Sequence, residues 1–172
     1  MAKINRELID ALRTALQNEL AGEEFYTKTA EEAKDDFTRN TFKHLAGDEL
    51  YHIEKITAFI DTGEAVEIAK EIKNRNPKSG LSFFGMNEEE FKKNKKQYEG
   101  DFAAYKFAID IEIKSYDLYK LLNEKSKEKK TKEFFRFLMK EEATHRKIIE
   151  EAISFLEAPE DYFLGTEKWH FD

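Results

Sequence analysis

Six residues in this chain carry the types and spacings that could do chemistry. Glu49 and His52 are three residues apart, and so are Glu142 and His145. That spacing places both members of a pair on one face of a helix. Glu19 and Glu112 stand singly on two further stretches. All six fall where an otherwise apolar stripe should continue. An ionised carboxylate in a helix-bundle core costs several kcal/mol even after relaxation unless it is paired. Two divalent cations would resolve the conflict, because four carboxylates carry −4 and two cations +4. Each cation would take one Glu and one His, and two Glu would bridge both. Carboxylate-bridged dimetal bundles use this set: a Glu from each of two helices, and Glu-x-x-His from each of the other two.

Glu-x-x-His alone is a weak signal in a chain where 26 of 172 residues are Glu. Glu167 and His170 make the same motif in a tail without amphipathic pattern, and they read as a decoy. His44 has Thr41 three before it and reads as exposed. The specificity lies in the constellation, since one offset of 93 residues relates Glu19 to Glu112, Glu49 to Glu142 and His52 to His145. The same offset pairs Ala15 with Ala108, Tyr26 with Tyr119, Phe42 with Phe135, Leu45 with Leu138, Ile56 with Ile149 and Ile60 with Ile153. A duplicated helical hairpin, its halves packed about a pseudo-twofold axis, is the simplest account.

Tyr26 and Tyr119 lie two turns after Glu19 and Glu112 on the same faces. Each reads either as a phenol bonded to a ligand carboxylate, or relaying an electron, or as an ordinary core aromatic. Gly22 and Ser115, one turn from the candidate ligands, leave room for a small molecule or permit close helix packing. Trp169 and its aromatic neighbours read as a lid over the bundle end.

Four segments with helical apolar period must position these groups. They run from about Asn5 to Lys34, Phe37 to Thr62, Asp101 to Lys127 and Thr131 to Ala158. Gly63 is placed to end the second, and Pro159 ends the fourth. Asp35–Asp36 and Glu128–Lys130 are connections short enough to make antiparallel hairpins. The expected fold is an all-α, antiparallel four-helix bundle forming a single domain over 1–172. Its parts are a hairpin over 5–62, a long crossover over 63–100, a second hairpin over 101–158 and an aromatic tail over 159–172. Two short helices are expected in the crossover, near Ala65–Lys73 and Glu88–Tyr98.

Composition narrows the chemistry. The chain lacks Cys, which excludes disulfides, Cys-ligated zinc, iron–sulfur clusters and a Cys nucleophile. A net charge of −7 argues against nucleic-acid and anionic-membrane partners. No run approaches the length of apolar sequence that spans a bilayer. The opening MAKINRELIDAL carries charges where a signal peptide needs an apolar run. A cytoplasmic location is therefore expected.

The segments NELAGEEFY, DELYH, IEIKSYDLY and EEATH resemble the di-iron motifs of the rubrerythrin-like branch of the ferritin-like superfamily. The likeness spans nearly the whole chain, and the tail EKWHF is similar to members of this branch. The resemblance implies Glu19, Glu49, His52, Glu112, Glu142 and His145 as ligands of two iron ions, positions that Mn or Zn would also fit. It implies reduction of hydrogen peroxide or O2. Rubrerythrins proper carry a further carboxylate one turn after the third-helix Glu, where this chain has Ser115, with Gly22 as its repeat mate. They also carry a Cys-ligated rubredoxin module that is missing here. Electrons must then come from an external donor such as a rubredoxin-type protein.

Three functions compete on this footing. The first is a di-iron peroxidase or oxygen reductase. The second is ferroxidase and iron handling in a ferritin-like protein, against which stands the long crossover. The third is a noncatalytic metal-binding bundle. The crossover is long enough for one hairpin to pack on another chain, so a homodimer is expected.

Overall fold

In the computed structural model, residues 6–59 and 102–157 are described. They form four helices: α1 over Arg6–Glu32, α2 over Asp36–Phe59, α3 over Phe102–Lys125 and α4 over Lys129–Glu157. The crossover over 63–100 with its two short helices, Gly63, Pro159, the tail over 159–172 with Trp169, and the Glu167/His170 pair lie outside the described residues, as does Ile60.

The helices follow the expected segments to within a few residues, and the local chemistry explains the differences at the hairpin turns. Asp35 caps α2: its Oδ1 accepts the Thr38 backbone N–H at 2.8 Å, which satisfies one of the free donors of the first turn. The helix therefore begins at Asp36, one residue earlier than the apolar pattern suggests. In the second turn the Lys132 N–H reaches the Glu128 carbonyl at 3.0 Å, so α4 is already winding at Lys129. Asn123 Nδ2 donates to the Lys132 carbonyl at 2.6 Å and ties the end of α3 to the start of α4.

α1 packs on α2 and α3 on α4, while α1 meets α3 and α2 meets α4 to join the hairpins. At 1.5 Å per residue the 27 residues of α1 extend about 40 Å. The core is not continuous along that length. One apolar cluster includes Phe25, Tyr26, Phe42, Leu45, Tyr105, Ala108 and Ile149. The other includes Leu12, Leu16, Ile53, Ile56, Tyr119, Phe135 and Leu138. Each draws on all four helices. Full burial of a Leu, Ile or Phe is worth roughly 1.5–3 kcal/mol, so the two clusters hold the bundle from either side of the layer between them. In sequence, that layer is the set of Glu and His residues.

Candidate metal centre

Glu19, Glu49, His52, Glu112, Glu142 and His145 are each no more than 3% exposed. The helical period turns them inward: on α2, Phe42, Leu45, Glu49, His52 and Ile56 are all buried, and on α4 so are Phe135, Leu138, Glu142, His145 and Ile149. His52 Nδ1 lies 3.0 Å from Glu19 Oε2, 3.3 Å from Glu49 Oε2 and 3.6 Å from Glu142 Oε1. His145 Nδ1 lies 3.5 Å from Glu112 Oε2, 3.6 Å from Glu49 Oε1 and 4.0 Å from Glu142 Oε2. The two imidazoles stack with centroids 5.1 Å apart.

The side chains converge in three overlapping groups. Glu49, Glu112, Glu142 and His145 form one, Glu19, His52 and Glu142 a second, and Glu49, His52 and His145 a third; within each, the ligating atoms lie within 4.8 Å of one another. Glu49 and Glu142 each belong to two groups, which is the position a bridging carboxylate needs. Yet Glu49 Oε2, His52 Nε2, Glu112 Oε2, Glu142 Oε1 and His145 Nδ1 are buried without a hydrogen-bond partner among the described residues. Buried polar atoms are normally satisfied. Five orphans in one layer, all oxygen or imidazole nitrogen, suit cations of the iron, manganese and zinc type.

Burial and mutual repulsion shape the charges. Burial, with repulsion from Glu112 adding to it and a hydrogen bond with Glu49 opposing it, pushes Glu19 up to about 7. Burial and the Glu19 charge raise Glu49 well above the usual carboxylate range. Burial, then the charges of Glu19 and Glu112, do the same to Glu142. Burial also works against the Glu112 charge, but the neighbouring His145 and Glu142 and the Tyr26 hydroxyl outweigh it and leave Glu112 below its usual value. Burial opposes a cationic His145, and the nearby Asp48, Glu112 and Glu49 carboxylates overcome it, raising the imidazole to about 11. The layer thus collects protons to offset its negative charge, and cations bound there would displace them.

The two tyrosines are bonded to carboxylates, and the bonds cross. Tyr26 on α1 donates its hydroxyl to Glu112 Oε1 on α3, and Tyr119 on α3 donates to Glu19 Oε1 on α1. Burial first, then the Glu112 charge, holds the Tyr26 phenol well above its ordinary range and keeps it a donor. Gly22 lies against Glu49, where an added Cβ would sit 3.5 Å from Glu49 Cδ. Ser115 is buried.

Two acidic residues that the motifs did not flag lie beside the centre. Asp48 Oδ2 lies 3.3 Å from His145 Nε2, and Glu141 Oε2 lies 3.8 Å from His52 Nε2. Each immediately precedes the glutamate of its motif, and the 93-residue offset relates Asp48 to Glu141. That shared offset is the signal that could have found them. His44 is exposed as expected, but its Nε2 reaches Asp48 Oδ2 at 3.4 Å.

The rubrerythrin family model matches residues 10–153 and, in a second overlapping match, residues 104–171. The chain belongs to the rubrerythrin family. The match covers both hairpins and all six residues of the layer, and a four-helix bundle is consistent with that family's ferritin-like fold. No significant match is found among curated proteins or among solved structures. No helix among the described residues is long and apolar enough to cross a membrane.

Proposed function

We propose that the buried layer is a dimetal centre with Glu19, Glu49, His52, Glu112, Glu142 and His145 as its ligands. In this reading the protein uses two iron ions there to reduce hydrogen peroxide or O2. The observation that carries it is the convergence of five orphaned donor atoms in one fully buried layer. Glu49 and Glu142 would be shared by both cations, Glu19 and His52 would hold one, and Glu112 and His145 the other. When bound, the reduced iron pair supplies the two electrons that convert H2O2 and two protons into two waters.

The chain's own residues account for the rest. The four carboxylates balance the charge of two divalent cations. Tyr26 and Tyr119 hold Glu112 and Glu19 in place by hydrogen bonds, as outer partners of metal ligands do. The apolar clusters on either side limit water around the centre. In this reading electrons come from an external donor of the rubredoxin type, since the chain has no Cys to bind iron of its own, and the protein works as a homodimer.

The test combines elemental analysis with re-oxidation of the reduced protein by H2O2 and by O2, and size exclusion for the assembly. The expected result is two irons per chain and rapid turnover of peroxide. Glu142→Ala should lose metal and turnover, and His170→Ala should keep both. Re-oxidation by O2 alone, with iron retained as oxidised mineral, would favour iron handling instead. A protein without metal would refute the centre, and zinc alone would refute the redox role.

A further inference from the structure

The duplication relates the two halves of the layer, but it does not make them alike. His145 Nε2 faces Asp48 Oδ2 at 3.3 Å, and its Nδ1 is buried without a hydrogen-bond partner among the described residues. That free nitrogen is 3.5 Å from Glu112, 3.6 Å from Glu49 and 4.0 Å from Glu142. His52 is arranged the other way. Its Nδ1 is hydrogen-bonded to Glu19 Oε2 at 3.0 Å. Its Nε2 is the orphan, and Glu141 at 3.8 Å is beyond hydrogen-bond reach. Three glutamates surround Nδ1 in both halves, but those around His52 lie at 3.0, 3.3 and 3.6 Å, closer than those around His145. Behind Asp48 stands His44 at 3.4 Å, while the offset gives Glu141 a Phe137 at the corresponding position.

We propose that the centre takes up its two metals unequally and in order, first in the half built on His145, and that Asp48 is the positioning residue responsible. This rests on the reading of the layer as a dimetal centre. Asp48 Oδ2, 3.3 Å from His145 Nε2, is placed to accept its N–H, which holds the ring with Nδ1 turned toward Glu49, Glu112 and Glu142. An incoming cation there takes the place of the Nδ1 proton on a ring that is already aimed. In the other half, a cation must first displace the hydrogen bond between His52 Nδ1 and Glu19, and His52 Nε2 has no partner among the described residues to hold the ring. Loss of such an outer partner lowers metal affinity by roughly 10–100-fold.

The test is a titration of the full-length protein with Co²⁺, followed by its visible absorption and by calorimetry. Wild type should bind two ions in two resolved steps. Asp48→Ala should weaken the tighter step by about 10–100-fold, and Asp48→Glu should restore part of it. Glu141→Ala should leave both steps near wild type. In His52→Ala, which keeps only the His145 half, Asp48→Ala should still weaken binding. In His145→Ala it should have no effect. Asp48 sits at the partly exposed edge of α2, so these variants should fold, and Asp48→Asn gives a second reading with side-chain volume kept. Two equal steps in wild type, equal losses in Asp48→Ala and Glu141→Ala, or an effect of Asp48→Ala in the His145→Ala background would each overturn the proposal. A wild type that takes up no Co²⁺ would overturn the dimetal reading itself, and this proposal with it.

Discussion

Chelating the metal should reverse the way stability depends on pH. In the metal-free protein, folding raises Glu19 from its usual 4.5 to about 7. The folded chain then holds a proton that the unfolded chain has released, so stability falls as pH rises. The Glu19 contribution is fully present below 4.5 and is lost as pH passes through about 7, a change of about 3 kcal/mol. Glu49 and Glu142, also raised, act in the same direction. So does His145, whose contribution is present below 6.5 and is lost as pH rises toward about 11. Glu112 and Asp48 are lowered, so their contributions are lost only as pH falls below the carboxylate range. They add no slope above pH 5. One kcal/mol moves the midpoint of a domain this size by roughly 2–4 °C. Glu19 alone should therefore lower the metal-free Tm by about 5–10 °C between pH 5 and pH 8, part of its change lying below pH 5. The loaded protein should behave oppositely, because cations bind the deprotonated ligands. At a thousandfold excess over Kd a bound ion adds about 4 kcal/mol. Scanning calorimetry at pH 5, 6, 7 and 8, with EDTA and with anaerobic Fe²⁺, should show a gap that widens with pH. A metal-free Tm that stays level or rises across this range would refute the argument, and so would the absence of a gap at pH 8.

Tyr26→Phe and Tyr119→Phe each remove one hydrogen bond to a buried carboxylate. Each should cost roughly 1.5–3 kcal/mol in urea unfolding, and costs near zero would mean that the phenols only fill space. Gly22→Ala should be tolerated, since the new methyl would lie at ordinary contact distance, 3.5 Å from Glu49 Cδ. Replacing a helix-interior glycine should add about 0.5–1 kcal/mol, and a clear loss of stability would show that the space beside Glu49 is needed. Phe42→Ala, in a fully buried position packed against Phe25, Tyr26 and Tyr105, should cost roughly 3–5 kcal/mol, whereas Phe37→Ala, at 38% exposure, should cost far less.

The bundle and the layer were legible because burial leaves a period in the sequence. Leu12, Ala15, Glu19, Gly22 and Tyr26 repeat at three and four, and all are buried. A glutamate in that register is conspicuous, and the repeat doubles the signal. What the pattern could not show was partnership across helices. Both tyrosines lie on the faces of Glu19 and Glu112, yet each bonds the glutamate of the other hairpin, a choice made by tertiary packing. Asp48 and Glu141 were invisible for a different reason. They sit at the partly exposed edge of their helices, where an acidic residue needs no explanation, and the direction of an imidazole singles out Asp48 alone. The start of α2 depended on a single Asp35 cap, which an apolar period does not encode.

The position of the layer also gives it a mechanical role. It lies between two apolar clusters that each draw on both hairpins. Besides the stacked imidazoles of His52 and His145, the contacts in it that span hairpins are polar, among them Tyr26 with Glu112, Tyr119 with Glu19, His52 with Glu142 and His145 with Glu49. The helices within a hairpin are also joined by a short turn, whereas the middle of the interface between hairpins depends on this layer. Four buried carboxylates would push that interface apart, and cations shared by Glu49 and Glu142 would draw it together, because one of these residues belongs to each hairpin. The same residues that fit the layer for metal therefore make the joint between the duplicated halves the part of the fold that depends on metal most.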